Sequence, residues 1–137
     1  MYQQPYGPGG LVGLSKTFSY RVLLSKDIKR RSYRCIHLLS LDTDRYEGIK
    51  QATLASIKLV LEFDRLDLYL LFQDFPRDWF KGDEPVHFML SVEDRNLLMD
   101  ARRHLGAILK REIRRNEIVA AGLYLMSTIP DPRIDND

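Results

Sequence analysis

The chain of 137 residues has very little of what stapled or metal-built folds depend on: one cysteine, Cys35, and three histidines. A single thiol closes no internal disulfide, so nothing in the sequence asks for an oxidising compartment. Cys35-Ile36-His37 is the nearest approach to a ligand pair, since an alternating strand places both side chains on one face, but His87 and His104 are distant in sequence. That is too few convergent donors for zinc, and the segment brings no carboxylate to complete a thiol triad. A glycine-rich phosphate loop is also missing: Gly7-Pro8-Gly9-Gly10 has no strand before it and no Lys-Ser or Lys-Thr pair after it. Asp64, Asp67 and Asp74 follow no catalytic spacing. The expectation is a protein that is not an enzyme, with no cofactor, no metal and no small-molecule substrate.

Long hydrophobic runs are scarce as well. The apolar, charge-free stretch Ile118 to Pro130 covers 13 residues, whereas a bilayer-spanning helix needs about 20. Met1 to Gly10 is polar and rich in Gly and Pro, unlike a secretory leader. An apolar fraction of 45% and a charged fraction of 29% are those of an ordinary globular chain with a real core.

Basic charge is present in two concentrations. The net charge is +2, yet residues 16–34 carry Lys16, Arg21, Lys26, Lys29, Arg30, Arg31 and Arg34 against Asp27 alone. Residues 102–115 carry Arg102, Arg103, Lys110, Arg111, Arg114 and Arg115 against Glu112 alone. The local charges are +6 and +5, which leaves −9 for the rest of the chain. Clustered like charges repel unless a partner neutralises them. Anionic lipid attracts basic segments by roughly 1 kcal/mol per cation, and nucleic-acid phosphates do so through counterion release.

Periodicity predicts one α+β domain over residues 16–128, between a flexible N-terminal arm at 1–15 and an acidic, mobile tail at 129–137. Phe18, Tyr20, Val22 and Leu24 alternate as in a strand. Residues 26–31 read as the polar connection to a second strand at Tyr33 to Leu39, a hairpin that would carry the first basic cluster at its tip. Asp42-Thr43-Asp44 offers caps for a helix over 44–62. Leu66, Leu68, Leu70 and Phe72 alternate again, predicting a strand at 65–72. A short strand follows at Val86 to Leu90. Ser91-Val92-Glu93-Asp94 opens an amphipathic helix running to about Arg114, and Ile118 to Met126 reads as a closing strand. The expected fold is a mostly antiparallel sheet of about five strands with two main helices.

The loop Phe75-Pro76-Arg77-Asp78-Trp79-Phe80-Lys81 holds three aromatics between two cations. Phe75, Trp79 and Phe80 suit either a membrane interface or a neighbouring subunit's pocket; Trp79 or Phe80 folding back as a lid over the chain's own core is the alternative. An RNA-recognition-motif fold needs aromatics on its central strand in a Gly-Phe-x-Phe type run, and Tyr33 and Phe72 stand alone.

Ser32-Tyr33-Arg34-Cys35-Ile36-His37-Leu38-Leu39 followed by Asp44, Tyr46 and Gly48 resembles matrix proteins of nonsegmented negative-strand RNA viruses, the rhabdovirus group especially. Leu66-Asp67-Leu68-Tyr69-Leu70 is similar to the family's central strand, and the bornavirus matrix protein is similar in size, with a Pro-Asp tail like Pro130-Asp131-Pro132. The likeness runs over residues 17–126 as pattern and order. The family's Pro-Pro-x-Tyr budding motif is replaced by Gln4-Pro5-Tyr6-Gly7-Pro8. The resemblance implies a virion structural protein that forms homo-oligomers beneath the envelope and acts in assembly and budding. It would bind an anionic membrane surface and the viral nucleocapsid or RNA, at the host membrane periphery, in the cytoplasm or in the nucleus. Lys26, Lys29, Arg30, Arg31, Arg34, Arg102, Arg103, Lys110, Arg111, Arg114 and Arg115 are the expected polyanion contacts. A small cytosolic or nuclear nucleic-acid-binding or regulatory protein would use the same patches.

Overall fold

A computed structural model describes residues 16–75 and 81–135. Its elements are β1 (Thr17–Leu24), α1 (Lys26–Thr43), α2 (Ile49–Glu62), α3 (Arg65–Phe72), β2 (Glu84–Ser91), α4 (Val92–Leu109), α5 (Arg115–Ser127) and the single turn α6 (Pro132–Asp135). Among the described residues the only sheet has two strands, with β1 antiparallel to β2 and Tyr20 opposite Phe88. The expected five-strand sheet is therefore wrong. Six helices dominate the described residues, and three segments expected as strands (33–39, 65–72 and 118–126) are helical.

Two of these three reversals have a local cause. Ser25 accepts a hydrogen bond from the Ile28 N–H at 3.2 Å, so a helix starts where a hairpin turn was expected. Ile28, Ser32, Cys35 and Leu38 then share the buried face of α1. In the same way Asp64 accepts from the Asp67 N–H at 3.1 Å and opens α3. Its buried residues are Leu68 and Phe72, one turn apart, while Leu66 and Leu70 of the apparent alternation point outward.

In α5 every residue from Ile118 to Ser127 except Tyr124 is buried, so its run has neither a polar face nor a helical period to read. This central helix packs against α2, α1, α4 and β1. Its Ile118, Leu123 and Leu125 are at most 1% exposed, and each such side chain contributes roughly 1.5–3 kcal/mol by leaving water. The closest approach is at Gly122, where a β-carbon would sit 2.7 Å from Ser56 Oγ of α2.

The helix predicted for 44–62 begins only at Ile49, because Asp44 turns left-handed (φ 55°) and ends α1. The one predicted to reach Arg114 stops at Leu109. Lys110 is left-handed there (φ 58°), and its N–H and that of Arg111 both return to the Gly106 carbonyl. A β-carbon on Gly106 would lie 2.8 Å from the Arg111 carbonyl oxygen, so the absence of one lets the basic turn at 110–114 fold back against α4.

Candidate polyanion-binding surface

The first basic cluster lies along α1 instead of at a hairpin tip, and helical geometry disperses it. Lys29 pairs with Glu84 of β2 at 2.9 Å. This mutual hydrogen bond raises the lysine pKa and lowers that of the glutamate. Arg31 donates to Ser127 Oγ at 2.8 Å and lies over the Tyr124 ring. Arg34 donates to the Ser127 and Ile129 carbonyls and grips Asp135 through both terminal nitrogens, at 2.7 and 2.8 Å. That grip pushes the Asp135 carboxyl down to about 2. Arg133 joins the same corner, bridging Asp131 and Asp42. Three cations of the cluster thus clamp α1 to β2, to the end of α5 and to α6. Lys26 and Arg30 are exposed and pair with no carboxylate among the described residues.

The second cluster holds together as a surface around the turn between α4 and α5. Arg102 donates to the Ile113 carbonyl at 2.9 Å and pins the turn to α4. Arg111 bridges Glu117 at 2.9 Å, while the other Glu117 oxygen accepts the Arg114 N–H and caps α5. Arg103 pairs loosely with Asp100 at 3.3 Å, with both groups well exposed. Arg115 lies over the Tyr20 ring, its guanidinium carbon 4.6 Å from the centroid. Lys110 and Arg114 are exposed and have no carboxylate partner among the described residues.

Two open clefts flank this turn. One, of about 460 Å³, runs from Met99, Arg102 and Arg103 to Arg111 and Ile113. The other, of about 490 Å³, separates Lys110 and Ala107 from Arg65, Leu66 and Tyr69 of α3. Leu66, Tyr69 and Leu70 are 63%, 43% and 55% exposed. An apolar helix face thus borders the basic turn. The strand expectation hid it, although the Asp64 cap and the Leu68–Phe72 spacing were there to be read.

Of the aromatic loop, Phe75 is buried, edge-on to Phe72 and to Tyr124 at ring separations of 5.1 and 4.8 Å. Phe75 therefore serves the core and is not the exposed membrane or subunit contact expected of it, while Trp79 and Phe80, the residues read as a lid over the core, lie outside the described residues. Cys35 and His37 do not share a face: Cys35 is buried and donates to the Leu123 carbonyl, whereas His37 is exposed. Burial pushes the Cys35 thiol up to about 12, which leaves no thiolate for nucleophilic attack. Among the described residues no three His, Cys, Asp or Glu side chains converge as a metal site, and no helix is long and apolar enough to cross a membrane.

No family model, characterised protein or solved structure matches the chain. The segments that carried the likeness to viral matrix proteins, 32–39 and 66–70, are helices here, so the strand order inferred from them is absent.

Proposed function

We propose that this is a non-enzymatic structural protein that associates peripherally with an anionic membrane leaflet, the kind of role a viral matrix protein performs. One observation carries the reading: Leu66 and Tyr69 stand exposed across a cleft from Lys110, with the exposed Leu70 next to them on α3, beside the turn that also bears Arg111 and Arg114 and leads into Arg115. Apolar side chains with a tyrosine enter the interfacial region, while adjacent cations neutralise lipid phosphates. Neither element is sufficient alone. A short helix buries too little apolar area, and unassisted charge attraction is screened within about 8–10 Å at physiological salt. In that role the protein also self-associates and holds a ribonucleoprotein against the membrane.

A second reading rests on the make-up of the turn. Five of the six cations in 102–115 are arginine, and a guanidinium grips phosphate bidentately, so a nucleic-acid backbone would be held there without base reading. Co-sedimentation separates the two. Membrane binding predicts retention by vesicles of phosphatidylserine and phosphatidylcholine, and loss of that retention in both a Leu66→Glu, Leu70→Glu variant and a Lys110→Asn, Arg114→Ser variant. Nucleic-acid binding predicts that single-stranded RNA retains the α3 variant fully and that vesicles fail to retain the unaltered protein.

A further inference from the structure

We infer that the outer edge of β1 is a docking site for an extended acidic segment of a partner protein, taken up as a third strand. This goes beyond membrane association and centres on β1, sharing only Arg115 with the basic surface. β1 pairs with β2 along its whole length, Leu23 standing opposite Pro85, and the Leu23 N–H points away from β2, to Asn116 Oδ1 at 3.1 Å. Alternation therefore directs the N–H and C=O groups of Ser19 and Arg21 to that same outer edge. Neither residue has a backbone partner there among the described residues. An unpaired row of this kind is a template for strand addition. The edge of β2 carries Pro85, which has no N–H to give. Asn116 closes the β1 edge at Leu23, so an incoming strand pairs along 17–21 and stops.

Charge fixes the chemistry of the occupant. Arg95 lies over the Phe18 ring at 4.4 Å and Arg115 over the Tyr20 ring at 4.6 Å. Arg115 directly precedes Asn116, the residue that closes the edge. Arg21 extends from the opposite face of β1. No carboxylate pairs with Arg21, Arg95 or Arg115 among the described residues. A strand carrying Asp or Glu at alternate positions gains both the ladder and these guanidiniums. A second copy fits worse, because pairing two β1 edges would bring six unpaired arginines together. Residues 1–15 contain no acidic residue and do not match the requirement.

The test uses the full-length protein without lipid and a capped peptide Thr-Glu-Val-Glu-Val-Glu-Thr, with its Lys-for-Glu counterpart as control. The acidic peptide should bind and slow amide exchange at Ser19 and Arg21 by at least about tenfold, with the Lys peptide inert. Arg115→Gln and Arg95→Gln should each weaken binding about tenfold, which corresponds to one charge-assisted contact of about 1.4 kcal/mol. Ser19→Pro should abolish binding. Should that variant unfold, the two Gln variants, both altered at exposed positions, decide instead. Failure of the acidic peptide to bind, equal binding of the Lys peptide, or protection that falls outside residues 17–21 overturns the proposal. So does a dimer that protects the same amides with no peptide present, or single-stranded RNA binding that protects them in place of the peptide.

Discussion

Replacing Gly122 by alanine tests how tightly the central helix is fitted. The new β-carbon would stand 2.7 Å from Ser56 Oγ and 3.4 Å from Ile57 Cδ1. Ser56 is fully buried and donates to the Thr53 carbonyl at 2.7 Å. Its hydroxyl cannot swing aside without giving up that bond away from water, so α2 and α5 must separate. Overpacking a fitted core costs about 1–3 kcal/mol, while Gly to Ala within a helix returns about 0.5–1 kcal/mol. The net expectation is a loss of roughly 1 kcal/mol, read as a fall of about 0.5 M in the urea midpoint with unchanged slope. In a Ser56→Ala background the obstruction is gone, and Gly122→Ala should be neutral or stabilising. The coupling between the two sites should then be about 1–2 kcal/mol. A rise in midpoint for Gly122→Ala alone, or the same effect in both backgrounds, would refute this account of the α2–α5 contact.

Three other outcomes follow from the geometry. Asp135 titrates at about 2 against an ordinary 3.8 because Arg34 holds its carboxylate. Its contribution is therefore complete above about pH 4 and is lost as pH falls towards 2, so amide exchange at Ile134 should accelerate across that window and not in Asp135→Asn. Arg34→Lys keeps the charge but cannot reproduce two carbonyl contacts plus a bidentate pair, so hydrogen exchange in α6 should rise without a change in the core; unchanged α6 protection contradicts the clamp. Cys35, buried with its thiol raised to about 12, should resist Ellman's reagent at pH 8 in native buffer and react at once in denaturant. Rapid native labelling would contradict its placement.

The strands β1 and β2 and the start of α4 were legible because their signals are local: alternation over eight residues, and Ser91 accepting from the Asp94 N–H. Their pairing was not, since the partner of β1 lies some 60 residues on, past three helices. The Ser25 and Asp64 caps were present in the sequence but outweighed by alternating leucines and β-branched residues, although the buried spacing in both helices is one turn. For α5 no local signal existed, because a helix surrounded by other elements loses the polar face that marks its period. The same limit governed the candidate surface. Both charge clusters were visible as charge, but which cations clamp the fold and which face outward depends on contacts such as Arg34 with Asp135 across about 100 residues.

The most direct measurement is vesicle co-sedimentation across a salt series, with the unaltered protein and the Lys110→Asn, Arg114→Ser pair. Both substitutions suit their backbones, a left-handed position and a helix N-cap, so folding is preserved. The account predicts binding to anionic vesicles that weakens steadily with salt, a roughly 30-fold loss in the double variant at about 1 kcal/mol per cation, and no binding to neutral vesicles. Equal retention of both proteins, or binding to neutral vesicles that salt leaves unchanged, would contradict it.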